Sequence, residues 1–229
     1  ATLSGTANDP APGVVTRVDL RIKNEANGGY WNGATFVVGA GAENNWVVAA
    51  STAAWTYPNP GTVTDTNFTV NARPVDRAGN QPVTASSIST VTFRFDNVKP
   101  RSQGTGPANG STINSLTTIS GTADDLVAGT GSGISNVVLN IRRNTDSYYW
   151  NGGAWVVGTA TVGATGAGSW TYPWSGSLIS GVSYYVSATA TDGGTNEENT
   201  TPARASNFWW DTTAPASTVT VPSPATLYT

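Results

Sequence analysis

Fourteen acidic residues and nine tryptophans, with no histidine and no cysteine, set the chemistry open to this chain of 229 residues. A nucleophilic triad needs a base, ordinarily His, and thiol catalysis or a His/Cys zinc site needs side chains that are absent. Paired carboxylates could in principle cleave a glycosidic bond. The acids, however, recur with an internal period and gather at expected strand ends, which points to a structural duty. No catalytic residue is therefore assigned, and the chain is read as not an enzyme. Two kinds of binding chemistry remain. Carboxylates brought together could hold a hard cation such as calcium, which takes six to eight oxygen ligands. Exposed indoles could stack on sugar rings; Trp31, Trp150 and the adjacent Trp209-Trp210 are the places to look. Trp209 and Trp210 must point to opposite faces of one strand, so one of them should meet solvent or a contact.

The elements that must carry these residues come in two copies. Ser4-Gly5-Thr6-Ala7 returns as Ser120-Gly121-Thr122-Ala123, and Tyr30-Trp31-Asn32-Gly33 as Tyr149-Trp150-Asn151-Gly152. Trp55-Thr56-Tyr57-Pro58 returns as Trp170-Thr171-Tyr172-Pro173, and Asp96 with Pro100 as Asp211 with Pro215. A period this long is a whole domain, far beyond a solenoid repeat. Strand alternation is clean in both copies. Val18, Leu20 and Ile22 take every second place in the first, and Val137, Leu139 and Ile141 in the second. Phe68-Val70-Ala72 with Tyr184-Val186-Ala188, and Val91-Phe93-Phe95 with Phe208-Trp210, supply further faces. Nowhere is a helical period sustained. The Asn-Gly pairs at 32–33 and 151–152 predict tight hairpins with positive φ at both central residues, braced by Trp31 with Phe36 and Trp150 with Trp155. About seven short strands per copy read as an antiparallel β-sandwich.

Charge and composition narrow the partners. Only 11% of residues are charged, the net charge is −3, and Lys and Arg form no run, so nothing marks a nucleic-acid surface. No apolar stretch is long enough to span a bilayer as a helix. Sequons stand at Asn67, Asn109 and Asn199, in a chain so rich in Asn, Ser and Thr that chance matches are expected. A Lys–Asn crosslink is not expected, because the two lysines, Lys23 and Lys99, are replaced by Arg142 and Ala214 in the second copy.

The chain resembles the bacterial immunoglobulin-like domains found in tandem on long surface and secreted proteins. The resemblance is carried by Ile119-Ser120-Gly121-Thr122-Ala123 with Asp125, by Gly133-Ile134 and by Tyr149-Trp150-Asn151-Gly152. It continues through Asp76-Arg77-Ala78-Gly79-Asn80 and the closing Asp211-Thr212-Thr213-Ala214-Pro215. It implies an all-β chain of two tandem Ig-like sandwiches, with residues 1–98 as the first and 117–213 as the second. Residues 99–116 form a linker and the opening strand of the second copy, and 214–229 begin a further repeat. In such a sandwich the first and last strands are expected to run toward the same pole. That places Asp9 and Asp96 at the exit of the first copy, facing Asp192 at the opening of the second, as an inter-domain calcium site to which Asn97, Asn196 and Glu197 could add oxygens. The plainer expectation is that these residues cap turns.

The tail carries the last signal. Pro222 to Thr229 aligns with Pro107 to Asn114, and Ala1 to Gly5 with Thr117 to Gly121. Joined tail to head, Thr226, Leu227 and Tyr228 would run into Ala1, Thr2 and Leu3 and rebuild one opening strand. Either a longer array is cut at this point or separate subunits join head to tail by strand addition. With no Met, the start is expected to be a processed or excised end. The expectation is a structural repeat unit of an extracellular, cell-surface fibre, stalk or sheath whose partners are its own copies or adjacent repeats. The alternative is an adhesin or a carbohydrate-binding module of a secreted protein.

Overall fold

A computed structural model describes residues 2–60, 66–84, 87–125, 131–199 and 204–220. Apart from one short 3-10 turn at Ala42–Asn44, its regular elements are all strands. They form two compact units: Ala1–Lys99 with Asp125–Gly133 and Gly193–Asn196, and Pro100–Asp124 with Ile134–Asp192 and Glu197–Thr229.

In unit 1, β1 (Thr2–Thr6) pairs antiparallel with β6 (Ala54–Pro58) as one small sheet. The facing sheet holds β2 (Val15–Asn24), β3 (Tyr30–Trp31), β4 (Phe36–Val37), β5 (Val47–Val48), β7 (Thr66–Asp76) and β8 (Ser89–Phe95). Its register sets Leu20 against Ala72 and Ile22 against Val70. Alternation turns Val18, Leu20 and Ile22 inward, onto Trp55, Phe68 and Val70, so one stripe from each strand fills the space between the sheets.

Unit 2 repeats this plan and adds to it. One sheet orders β16 (Thr165–Gly166), β17 (Ser169–Pro173), β11 (Thr118–Asp124) and β9 (Arg101–Gly106). The other contains β10 (Thr112–Ile113), β19 (Ser206–Trp210), β18 (Val182–Asp192), β12 (Ile134–Arg143), β13 (Tyr149–Trp150), β14 (Trp155–Val156) and β15 (Val162–Gly163). Its core joins Ile119, Leu139, Ile141, Trp170, Tyr184 and Phe208, each almost wholly buried.

The hairpins form, but not with the expected turn. Trp31 pairs with Phe36 and Trp150 with Trp155, their rings 5.2 and 5.6 Å apart. Between them lies a four-residue loop in which only the glycine, Gly33 or Gly152, has positive φ. Asn32 Oδ1 accepts the amides of Ala34 and Thr35, and Asn151 Oδ1 those of Gly153 and Ala154. An Asx turn satisfies those amides locally, so the asparagine has no need of the left-handed conformation.

Strand polarity corrects the expected place of Asp9. Unit 2 starts with β9, which runs antiparallel to β11, the counterpart of β1. The Ser-Gly-Thr-Ala strand is therefore second in the sandwich and runs against the direction expected of a first strand.

Candidate functional site: the open edge of unit 1

In unit 2 the segment from Arg101 to Ile113 closes one side of the sandwich. β9 pairs with β11, Ser120 facing Gly106 and Thr122 facing Gln103. The chain then crosses to the other sheet, where β10 lies parallel to β19. The outer edge of β19 is satisfied along its length. The Trp209 amide donates to Ser111 O at 2.8 Å, the Asp211 amide to Ile113 O at 3.0 Å, and the Asn207 amide to Asn109 Oδ1 at 2.9 Å. Inward, the Ser102 hydroxyl donates to Glu198 Oε2 at 2.5 Å, and Glu198 also takes the Ala190 amide and the Arg204 guanidinium. Beneath this closure Ser206 is 2% exposed and Phe208 1%.

Unit 1 has the same two edges without the closure. Among the described residues, β1 pairs with β6 only, and β8 pairs with β7 only. Between the two free edges lies a groove of about 480 Å³, lined by Gly5, Ala7, Trp55, Val70, Val91 and Phe93, among others. Val91 stands where unit 2 has Ser206, and it is 60% exposed. Phe93, at the place of the buried Phe208, is half-buried. A groove with apolar walls and two unpaired strand edges offers backbone hydrogen bonds for affinity and side-chain pockets for selection, which is what an added β-strand requires.

Asp9 does not lie with Asp96. Asp9 lies with Val15, Pro74, Asp76 and Asn80 at the end of β7 that carries the Asp76 turn. Asp96 follows β8, whose Phe95 is opposite Thr66 at the other end of β7. Ten residues of extended chain separate those ends, roughly 33 Å. Asp192, 1% exposed, ends β18 in unit 2, and its carbonyl accepts the Ser135 hydroxyl at 2.7 Å. Asp96 is instead a turn anchor: its carboxylate takes the amides of Val98 and Ser132, both at 3.1 Å. Burial opposes its ionisation, but these amides and the Ser132 hydroxyl outweigh it and hold the carboxyl below its ordinary range. Sequence reasoning passed over Asp125, which has a carboxylate oxygen within 4.8 Å of one on Asp96 and takes the Gly133 amide at 2.6 Å. Its place after Ser-Gly-Thr-Ala was the available signal.

The tryptophans divide. Trp150 is 4% exposed, and its indole donates to Tyr172 Oη at 3.0 Å; Trp31 is half-buried and does the same to Tyr57. Trp150 belongs to the core of unit 2, and Trp31 packs against the core of unit 1. Trp210 packs on the core, and Trp209 is 52% exposed. Of the residues expected in assembly, Thr2 and Leu3 belong to β1, paired with Pro58 and Tyr57. Ala1, Thr226, Leu227 and Tyr228 lie outside the described residues.

The chain is thus all-β, two immunoglobulin-like sandwiches in tandem. No family model and no curated protein matches it. Among solved structures it is similar to the fibronectin(III)-like modules of Clostridium thermocellum CbhA, at 16% identity and a TM-score of 0.37, covering 92% of this chain and 85% of that one. It is also similar to the FN1-FN3 domains of chicken CNTN1, at 9% identity and a TM-score of 0.36, covering 92% of this chain and 62% of that one.

Proposed function

We propose that the chain is a structural repeat unit of an extracellular, cell-surface fibre, stalk or sheath, joined to its neighbours by strand complementation. The observation that supports this reading is the open edge of unit 1, placed where unit 2 is closed by a strand. Sandwich modules in series transmit load through their strand ladders, and each added strand contributes main-chain hydrogen bonds while removing an edge prone to uncontrolled pairing. The joint is heterologous, one surface donating and a different one accepting. It propagates into a linear array unless its rotation closes a ring. The low charge and the Ser/Thr/Asn-rich surface suit such a role, having no electrostatic footprint for nucleic acid.

Light scattering across a concentration series, followed by electron microscopy of the concentrated sample, tests the reading. Growing linear particles support it. A monomer at every concentration overturns it.

A further inference from the structure

Resting on that reading, we infer that the strand received by the groove of unit 1 is Ala216–Thr220 of a second copy, antiparallel to β1, with Thr218 opposite Thr6 and Val219 turned inward onto Val91.

The internal repeat supplies the register. Pro100 and Pro215 are counterparts, so Arg101 to Thr105 of β9 correspond to Ala216 to Thr220. In β9 the burial alternates: Ser102 and Gly104 face the core, whereas Arg101, Gln103 and Thr105 face outward. The same parity turns Ser217 and Val219 inward and leaves Thr218 and Thr220 outside. The successive β-branched residues Thr218, Val219 and Thr220 suit a pleated, half-buried strand. In the described structure residues 211–220 form no regular element, and all are exposed. Among the described residues, Ala216–Thr220 pair with no strand.

Groove and segment differ from their unit 2 counterparts in a matched way. A Cβ added at Gly104 would lie 3.7 Å from the Ser206 Cβ, which identifies the facing pair across the closed edge. The corresponding pair is Val219 and Val91. A small, partly polar contact in unit 2 becomes a pair of valines, one exposed in the tail and one exposed in the groove. Ser89 also lines the groove where unit 2 has Arg204, so the guanidinium that reaches Glu198 under β9 is replaced by a short side chain. The receiving site of unit 1 is therefore more apolar than its counterpart, and so is the segment.

The register predicts a specific bond. Thr122 faces Gln103 across β11 and β9, so Thr6 faces Thr218 across the joint. Directly opposed residues in an antiparallel pair have Cα atoms about 4.5–5.5 Å apart, within reach of a disulfide. The chain has no cysteine to interfere. Full-length T6C/T218C, oxidised and run on a non-reducing gel, should give a ladder of dimers, trimers and higher species. Each single variant can stop only at dimers. T6C/V219C, one residue out of register and facing the other side, should give no ladder. V219D should reduce assembly in light scattering by at least tenfold in apparent affinity while the thermal unfolding of unit 2 stays unchanged, since Val219 is exposed in the isolated chain.

Assembly without a T6C/T218C ladder, or with V219D unimpaired, overturns this inference and leaves the strand-complementation reading standing with another donor. A fast-migrating, internally bonded monomer overturns the second copy as the occupant. Absence of assembly in the unmodified chain removes both.

Discussion

The indole Nε1 of Trp150 donates to Tyr172 Oη at 3.0 Å, and Trp31 makes the same bond with Tyr57 in unit 1, also at 3.0 Å. In each unit the tryptophan lies on one sheet and the tyrosine on the other, so the bond fastens the sandwich across its core. Tyr172→Phe leaves the Trp150 indole N–H without its acceptor and should destabilise unit 2 by about 1–2 kcal/mol. Trp150→Ala removes the ring that packs against both Trp155 and Trp174, and should cost about 3–5 kcal/mol. Thermal unfolding of each variant, followed by tryptophan fluorescence, gives both numbers.

Acid should loosen the turn that follows β7. The Asp76 carboxylate is held below its ordinary range first by the Asn80 side chain, at 2.7 Å, and then by the amides of Asn80, Ala78 and Gly79. A depressed folded-state value means that the stabilisation is complete above the unfolded carboxylate range, about 3.9, and is lost as pH falls through the folded value. The melting temperature of unit 1 should therefore decline on acidification below about pH 4, and Asp76→Asn should flatten that decline. An unchanged slope in the variant would assign the acid sensitivity to other carboxylates.

Glu198 is the polar centre of the unit 2 closure. It is 5% exposed and takes the Ser102 hydroxyl, the Ala190 amide and the Arg204 guanidinium. Removing it strands those donors. Glu198→Ala should destabilise unit 2 by about 3 kcal/mol, the low end of the range for breaking a buried pair, because Arg204 keeps some contact with solvent. Hydrogen exchange should show the loss first in β9. Calorimetric unfolding that is unaltered would contradict this role.

The two units should also differ in stability in dilute solution. Unit 1 leaves Val91 and part of Phe93 in water where unit 2 buries Ser206 and Phe208. Calorimetry should show two transitions. The lower, from unit 1, should rise with protein concentration, because a strand that binds only the folded groove stabilises it by mass action. The upper should stay fixed.

Much of the sandwich was legible in the residues. Alternation at Val18-Leu20-Ile22 and Val137-Leu139-Ile141 marked buried faces because a half-buried strand has a period of two. The aromatic pairs flanking Asn-Gly marked hairpins, but the turn type was hidden, since whether Asn32 bends its backbone or caps with its side chain depends on loop length. Asp9 was misplaced for a topological reason: Ser4-Gly5-Thr6-Ala7 reads as a first strand until β9 is seen pairing outside β11. The tail was legible as a repeat, yet the sequence directs attention to Thr226-Leu227-Tyr228 meeting Ala1-Thr2-Leu3. What Ala216–Thr220 corresponds to became visible only when β9 was seen to cover Ser206 and Phe208. A groove is a property of two edges, and neither edge announces its vacancy in its own sequence.

Amide hydrogen exchange along β1, at micromolar and at millimolar protein, tests the central claim most directly. The account predicts fast exchange on the outer edge of β1 in dilute solution and strong protection when concentrated, with β11 protected throughout by β9. Equal exchange at the two concentrations, whether fast or slow, would contradict strand complementation at this groove.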